Sequence, residues 1–279
     1  ARLLRKEGVI TSATGFRWAL WIKRAERDLR GGTIRLKPPL SLNGLIDQLR
    51  RKRPFLVKVQ LNEGWPSWRI FRVLSRKLKL PRDRFEELAE DTSFIRELGL
   101  NVSTLEGYLF PDTYYVSADA GPRQVLRQLV NRFKEVSREN RIRKQARKQG
   151  LTLEEAVTLA SLIEREARVD RERALVSAVY HNRLEKGILL QADPTLLYPL
   201  GNFQATITHS MLQDDNPYNT YQRKGLPPSP ICNPGERSLM ASVQPADVPY
   251  LYFVARGDGT HVFNETLAGH QQAVRKYQR

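Results

Sequence analysis

The segment LEEAVTLASLIEREARV, residues 153–169, decides how the fold of this chain is interpreted. Its apolar side chains recur at helical spacing and cover most of the cylinder, which predicts a buried helix. The preceding TLEE pattern, residues 152–155, is a capping box that starts this helix. The helix carries Glu164 and Glu166 near its carboxyl end. Burial and the negative end of the helix dipole both disfavour a charged carboxylate there, so we expect a raised pKa.

A carboxyl group that keeps its proton near neutral pH is what a general acid needs to protonate a glycosidic oxygen. The two glutamates lie about 200° apart around a helix. They therefore cannot flank one bond as a carboxylate pair, and at most one of them is functional. Angular position around the helix favours Glu164 as the functional glutamate, because Glu164 lies within the apolar stripe. Glu166 lies on the flank of that stripe. The alternative is that both carboxylates bind arginines such as Arg165, Arg168 or Arg171.

Three later segments contain polar residues in patterns that suit a binding cleft. In ILLQADPTLLYPLG, residues 188–201, polar side chains alternate with apolar ones before a turn, which suits either a cleft or a capped loop. NPYNTYQRKGLPPSPICNPG, residues 216–235, predicts a rigid loop that either forms a sugar groove or wraps the domain. YLYFVARGDGTHVFNETLAGH, residues 250–270, predicts a strand and a hairpin turn at Asp258-Gly259, followed by a closing helix.

The first part of the chain mixes short strands and helices. A strand is predicted at 31–38, a helix at 41–53 with Ser41 as its N-cap, and a strand at 55–61. One helix follows Pro66-Ser67, a second covers 81–91, and 107–116 is strand-like around a turn at Pro111-Asp112. This order of strand, helix, helix and strand matches a LysM-like unit, a small fold that binds N-acetylhexosamine chains. Residues 122–150 predict a long basic amphipathic helix or a pair of helices.

The composition restricts the possible partners. Lys and Arg number 46 against 30 Asp and Glu, so the formal net charge of +16 will attract a polyanion such as nucleic acid, acidic lipid or a wall polymer. The chain has one cysteine, which excludes an internal disulfide, and four histidines without an HExxH pattern, so no zinc site is expected. It has no run of about 18 apolar residues of the kind that spans a bilayer.

Five segments together, in their order along the chain, resemble the YceG-like family of endolytic murein transglycosylases. They are LEGYLFPDTYYV, ASLIEREA, LQADPTLLYPLG, NPYNTYQRKGLPPSPICNPG and PYLYFVARGDGTHVFNETLAGH. The resemblance implies an α+β fold made of a mixed N-terminal segment (1–54), a LysM-like βααβ subdomain (55–117) and a mainly helical catalytic domain (118–279). That domain is expected to be lysozyme-like, with long loops rich in Pro, Gly and Asn.

The resemblance also implies a reaction and a location. Members cleave the β-1,4 bond between N-acetylmuramic acid and N-acetylglucosamine, and the muramic C6 hydroxyl closes on C1 to leave a 1,6-anhydro end. One glutamate acts as acid and then as base, without metal or cofactor. The expected partners are peptidoglycan glycan strands and the penicillin-binding proteins of cell-wall synthesis, and not nucleic acid. A membrane anchor before Ala1 would hold the catalytic domain on the periplasmic side of the inner membrane.

The family motif assigns roles to particular residues. A glutamate followed by a small residue at a helix end corresponds to Glu166, which becomes the preferred acid, with Glu164 as the alternative. Ala192 departs from the motif, where Ser or Thr is usual. By resemblance, six residues line the cleft or support substrate: Glu106, Gln191, Asp193, Thr195, Asn219 and Tyr221. Two other functions stay open: a wall-binding protein without catalysis, and a nucleic-acid-binding protein suggested by the charge alone.

Overall fold

The computed structural model describes residues 1–25, 36, 41–51 and 55–278. The described residues form an α+β structure with many helices and two two-stranded sheets. They divide into two compact units, 1–59 with 114–121, and 60–113 with 122–279. These limits differ from the three segments predicted from the sequence, whose boundaries stay a prediction. The strand predicted at 31–38 lies outside the described residues except at position 36.

The first unit has its own small core. Its elements, in chain order, are α1 (Arg2–Lys6), α2 (Ala13–Ile22), α3 (Leu42–Arg51), β1 (Leu56–Gln60) and most of β2 (Thr113–Ser117). Phe16 and Leu20 of α2 and Leu45 and Ile46 of α3 are buried together. The predicted N-cap of α3 is confirmed, because Ser41 Oγ accepts a hydrogen bond of 3.0 Å from the backbone N–H of Gly44. Strands β1 and β2 pair with each other.

The second unit starts with three helices, α4 (Ser67–Leu78), α5 (Arg82–Glu90) and α6 (Thr92–Glu97). The sequence prediction lacks α6, which begins because the Asp91 side chain accepts hydrogen bonds from two N–H groups of its first turn. The predicted strand at 107–116 is wrong in its first half, since β2 starts only at Thr113. Gly107 has a φ of +88°, and a Cβ on it would lie 2.6 Å from Pro230, so the chain turns there.

The basic segment after β2 is a helix pair. It consists of α7 (Pro122–Glu139) and α8 (Ile142–Lys148), separated at Arg141, whose φ is +53°. The remaining elements, in chain order, are α9 (Leu153–Glu166), α10 (Arg173–Glu185), α11 (Asp193–Leu197), α12 (His209–Gln213), α13 (Glu236–Val243), β3 (Tyr252–Ala255), β4 (His261–Asn264) and α14 (Leu267–Tyr277).

Helix α9 lies at the centre of the second unit. Every residue from 156 to 163 is buried, and the helix packs against α8, α10, α11 and α13. The predicted capping box is confirmed, since Thr152 Oγ1 and Glu155 accept hydrogen bonds from each other's backbone N–H at 3.1 and 2.8 Å. Helix α9 ends at Glu166, because Ala167 is extended with a ψ of 115°. Glu166 is therefore the last residue of a buried helix.

The predicted hairpin and closing helix are also confirmed. Strands β3 and β4 pair antiparallel with Tyr252 opposite Asn264, and the connection contains Asp258-Gly259. Helix α14 packs on both strands. Within the described ranges, no helix combines the length and the apolar character needed to cross a bilayer.

Candidate active site

A polar cleft of about 390 Å³ opens beside the carboxyl end of α9. Four of the predicted site residues line it: Glu166, Gln191, Asp193 and Tyr221. They come from the end of α9, the start of α11 and the proline-rich loop. The fold thus brings together side chains that are up to 55 residues apart in the sequence (221 − 166).

Glu166 has a carboxyl group that holds its proton near neutral pH. Burial is the main cause and the negative charge of Asp193 is the second, and together they raise its pKa to about 7. The Tyr180 hydroxyl donates a hydrogen bond to Glu166 Oε1 at 3.4 Å, and this bond offsets part of the rise in the Glu166 pKa. The side chain is only partly buried by surface area, so it is accessible from the cleft. The expected rise caused by burial is confirmed, and Asp193 adds a cause that the sequence did not reveal.

Asp193 is the second carboxyl group of the cleft. It is the first residue of α11, where Pro194 follows it in the first turn. The Tyr221 hydroxyl donates to Asp193 Oδ1 at 2.5 Å. Tyr221 in turn is placed by its backbone N–H, which donates to Asn219 Oδ1 at 2.9 Å. Asp193 is therefore held by a side chain that lines the same cleft.

Gln191 has a positive φ of +52° and is fixed by Arg183. Arg183 donates to Gln191 Oε1 at 3.2 Å, and its other hydrogen bonds go to the carbonyl oxygens of Leu189, Leu190 and Leu251 at 3.0, 2.9 and 2.6 Å. Arg183 is almost fully buried and lines the cleft. Its guanidinium group therefore shapes the backbone from which Gln191 and Asp193 project.

The sequence prediction assigned no role to Arg183 and Tyr180, because the pattern of residues 171–187 indicates only a further helix that ends at Gly187. A signal was present in the spacing. Val176, Tyr180 and Arg183 follow one another at i, i+4 and i+7, so they share one helix face. An arginine on an apolar face is rarely buried without partners, and this pattern could have indicated a structured polar site.

Two predicted site residues support the cleft without lining it. Thr195 is buried, and its hydroxyl donates to the Ala192 carbonyl at 2.7 Å and bonds Thr220 Oγ1 at 2.9 Å. The Asn219 amide donates to the carbonyl oxygens of Met211, Leu212 and Asp214 at 3.2, 3.3 and 2.7 Å. The side chains of Thr195 and Asn219 therefore hold the α11 turn and the proline-rich loop, respectively.

Glu106 also lies outside the cleft, in a buried network. Its carboxylate accepts from the Ser67 backbone N–H at 3.1 and 3.0 Å, from Asn233 Nδ2 at 2.8 Å and from the Tyr198 hydroxyl at 3.1 Å. Burial raises its pKa to about 7, although these donors act in the opposite direction. Glu106 connects the start of α4 to the proline-rich loop.

Glu164 points away from the cleft residues and has partners of its own. It accepts from the Gly235 backbone N–H at 3.0 Å and pairs with Arg173 at 3.4 Å, with only 7% of its side chain exposed. The expectation that a helix glutamate binds an arginine is thus met at Glu164, although by Arg173 and not by a neighbour in the sequence. Angular position favoured Glu164, but it is Glu166 that lines the cleft.

The proline-rich loop wraps the domain over most of its length. The Ile231 N–H donates to Ser161 Oγ of α9 at 3.0 Å, and Asn233 Nδ2 donates to the Trp65 carbonyl at 3.0 Å. Tyr218 and Ser229 bond each other across the loop at 2.6 Å. Only Tyr221 of this loop lines the cleft. Of the two interpretations of this segment, the structure supports a wrap that contributes one wall residue.

The hairpin and α14 form the opposite wall, through Phe253, His261 and His270. His261 Nδ1 bonds Glu172 Oε2 at 2.7 Å, which fixes the ring. Burial lowers the pKa of His270. Within the part of the chain that the structure describes, no group of three or more His, Cys, Asp or Glu side chains could hold a metal ion.

One protonatable glutamate at a helix end, facing a polar cleft with a second carboxylate, is compatible with an enzyme that cleaves glycosidic bonds. The comparison with known families agrees with this class. The chain belongs to the YceG-like family, whose model matches residues 1–276.

Two relatives and one solved structure show what this chain is similar to. An endolytic murein transglycosylase of Bacillus subtilis is 30% identical over 99% of this chain and 81% of its own length. One from Streptococcus pneumoniae is 26% identical over 82% of this chain and 47% of its own length. The crystal structure of a YceG-like protein from Listeria monocytogenes superposes with a TM-score of 0.71 at 29% identity, covering 97% of this chain and 93% of that one.

Proposed function

We propose that this chain is a peptidoglycan lytic transglycosylase that cuts within glycan strands, with Glu166 as general acid and then general base. The observation that carries the proposal is a glutamate with a pKa of about 7 in a cleft shared with Gln191, Asp193 and Tyr221. Membership of the YceG-like family and the names of its relatives support the same reaction.

The proposed reaction uses one carboxyl group twice, first as an acid and then as a base. Protonated Glu166 gives its proton to the glycosidic oxygen as the bond between that oxygen and C1 of N-acetylmuramic acid breaks. The C6 hydroxyl of the same sugar then attacks C1, and the Glu166 carboxylate takes the hydroxyl proton. The product is a 1,6-anhydro end, no water is consumed, and Glu166 is again protonated. A pKa near 7 suits a group that must act in both directions.

Asp193 has a supporting electrostatic role in this proposal. Its negative charge favours the protonated form of Glu166 before the bond breaks. The same charge then lies in the cleft where a positively charged sugar C1 develops, and a fixed opposite charge stabilises such a transition state. The Tyr221 hydroxyl keeps the Asp193 carboxylate in place.

The family resemblance supports further proposals about domains and location. We propose that 55–117 is a LysM-like subdomain and that the helical part is lysozyme-like. We also propose that the protein acts on the extracytoplasmic side of the inner membrane, held by a single membrane-spanning anchor, beside the penicillin-binding proteins. Cross-linking in cells followed by recovery of penicillin-binding proteins with this chain would test the last point, and recovery equal to that of an unrelated periplasmic protein would contradict it.

The decisive experiment compares Glu166→Gln with Glu164→Gln on purified nascent glycan strands. We expect Glu166→Gln to release anhydro ends at least about 100-fold more slowly, because general acid catalysis contributes roughly 10²–10⁴-fold. Glu164→Gln is the matched control, since it changes a carboxyl on the same helix that faces Gly235 and Arg173. We expect it to keep most of the rate and to lower the thermal unfolding midpoint.

Mass spectrometry of the products separates the possible outcomes. Anhydro ends formed by Glu166→Gln at the wild-type rate would show that another group is the acid. Wild-type protein that sediments with murein but releases no ends would favour a binding protein without catalysis. Strong salt-dependent binding to DNA without either murein property would favour the nucleic-acid alternative.

A further inference from the structure

A second groove, of about 600 Å³, lies on the other side of the α9 carboxyl end from the cleft. We call it the arginine–aromatic groove. Its chemically active lining consists of Trp65, Trp68, Arg69, Arg72, Arg165 and Phe203. The groove is formed by the start of α4, the end of α9 and the loop after α11, and no residue of the proposed mechanism lines it.

The groove carries positive charge and has no ion pair among the described residues, although the charge of Arg165 also lowers the pKa of Glu166. Arg69, Arg72 and Arg76 recur at i, i+3 and i+7 on one face of α4, and Arg165 joins them from α9. Among the described residues, no carboxylate oxygen lies within ion-pair distance of any of these four guanidinium groups, and the groove has no acidic lining residue. Four converging cations repel one another, so an anionic ligand would be bound favourably.

Aromatic rings hold these guanidinium groups in place. Arg69 lies 4.4 Å from the ring centre of Trp65, Arg72 lies 5.5 Å from that of Trp68, and Arg165 lies 3.9 Å from that of Phe203. A stacked guanidinium is oriented by its ring while its edge N–H groups remain able to donate to a carboxylate. Arginine–aromatic stacking thus presents fixed donors and flat apolar faces in one groove.

Two donors of the groove have no acceptor among the described residues. They are Trp68 Nε1 and Arg165 Nε, and both atoms are buried. Buried N–H groups normally have a hydrogen-bond acceptor, from protein or from a bound molecule. These two N–H groups, on side chains that line the groove, are therefore unsatisfied in this structure.

The arginine–aromatic groove and the cleft are lined by neighbouring residues of α9. Arg165 and Glu166 are consecutive on α9, and consecutive helix residues point about 100° apart. The guanidinium of Arg165 lies on the Phe203 ring of the groove, whereas the carboxyl of Glu166 lines the cleft. A long strand bound at Glu166 can therefore continue past the helix end into the groove.

We propose that the arginine–aromatic groove binds the stem-peptide carboxylates of the murein strand on one side of the bond that is cut. The proposal rests on the proposed function and adds a substrate preference: strands that carry stem peptides bind better than the same strands without them. The occupant follows from charge complementarity, because the stem peptides supply several carboxylates per repeat beside sugar faces that can stack on tryptophan.

The test uses one batch of glycan strands, half of it treated with an amidase that removes the stem peptides. For wild-type protein we expect KM on the denuded strands to be higher by about ten-fold, with kcat changed much less, since guanidinium contacts to an anion act mainly on binding. The variant R69E/R72E should lose most of this preference, because it reverses two groove charges. Its KM should rise about ten-fold on peptide-bearing strands and far less on denuded strands.

The control is R143E/K144E, which makes the same change of net charge at two exposed positions of α8. It should keep the wild-type preference, and circular dichroism and thermal unfolding verify that both variants fold. Equal KM of wild-type protein for the two substrates would overturn the proposal. So would equal losses by R69E/R72E and R143E/K144E, which would show a general charge effect.

Binding to the inactive E166Q protein, followed by tryptophan fluorescence, separates this proposal from the proposed function. Tighter binding of peptide-bearing strands that R69E/R72E abolishes in the E166Q background supports the groove even if no variant releases anhydro ends. Inorganic pyrophosphate is the competing probe. If it displaces the strands at micromolar concentration while removal of the stem peptides has no effect, the groove is a phosphate site and the proposal is wrong.

Discussion

Glu166 and Glu164 are two residues apart on one helix, yet their surroundings give them different chemistry. Glu164 is neutralised by Arg173 and by a backbone N–H, as a structural carboxylate would be. Glu166 has the negative Asp193 nearby and one long hydrogen bond from Tyr180. Asp193 therefore raises the pKa of Glu166, whereas Tyr180 and Arg165 lower it. Asp193 and Tyr180 can be changed separately.

Replacement of Asp193 by Asn should move the alkaline limb of the rate profile to lower pH. Asp193 raises the pKa of Glu166, so removal of its charge lowers that pKa below the present value of about 7. The general acid then loses its proton at a lower pH, and kcat/KM declines earlier. The measurement is kcat/KM from pH 5 to 9. Tyr221→Phe keeps the Asp193 charge and should leave the limb near pH 7, and an unmoved limb in Asp193→Asn would contradict this explanation.

Tyr180→Phe should shift the same limb in the opposite direction. The hydroxyl hydrogen bond to Glu166 lowers the pKa of that carboxyl, so its loss raises the pKa above about 7. The protonated acid then persists to higher pH. The ring itself stays, and we expect a stability cost of only about 1 kcal/mol for the lost hydrogen bond. A limb that moves to lower pH in this variant would show that the Tyr180 hydroxyl is not a donor to Glu166.

At the scale of elements, α9 determines where the carboxyl group of Glu166 lies. Its capping box fixes the first turn at Thr152, and its buried face fixes its rotation against α10 and α13. The helix ends where Ala167 becomes extended, one residue after Glu166. Both ends are thus defined, and the carboxyl reaches the cleft at the last helical position.

Thr152→Ala should destabilise the protein by about 1 kcal/mol, because the hydroxyl accepts the backbone N–H of Glu155 at the first turn of α9. For a unit of this size the thermal midpoint should fall by roughly 2–4 °C. Differential scanning calorimetry measures the change, and activity at 25 °C should be retained. Thr152→Ser keeps the cap oxygen and should be close to wild type; equal losses in both variants would show that the methyl group, and not the cap, is responsible.

At the scale of the molecule, the second unit is held together by buried polar contacts between distant segments. Glu106 accepts hydrogen bonds from Ser67 at the start of α4, from Tyr198 after α11 and from Asn233 in the proline-rich loop. Asn233 also donates to the carbonyl oxygen of Trp65. These segments are far apart in sequence, so the network forms only when the unit is folded.

Glu106→Ala should lower the free energy of unfolding by roughly 3 kcal/mol or more, because it leaves several buried donors without an acceptor. Glu106→Gln keeps one acceptor oxygen and should cost less. Urea unfolding followed by tryptophan fluorescence gives both values. If the two variants have the same unfolding midpoint as wild type, the network does not stabilise the unit, and a role of Glu106 in substrate binding would become the better hypothesis.

The sequence by itself determined the elements that depend on short-range interactions. Periodicity and local caps predicted α9, α10, α14 and the β3–β4 hairpin, because a helix face or a capping box involves residues within four positions of each other. The family motif predicted Glu166, Gln191, Asp193 and Tyr221 as site residues, and these four side chains line one cleft. The sequence failed where distant residues decide the local structure, as at 107–112, where Pro230 packs on Gly107.

Only the tertiary structure decided which of the two glutamates lines the cleft and which groups surround it. Periodicity placed Glu164 and Glu166 on a helix and favoured Glu164 as the buried one, but a pKa depends on the charges and donors that surround a group in space. In the folded chain, Arg173 and Gly235 lie beside Glu164, whereas Asp193 and Tyr180 lie near Glu166. None of these four residues is adjacent in the sequence to its partner, and for that reason their effect on the acid could be obtained only from the folded chain.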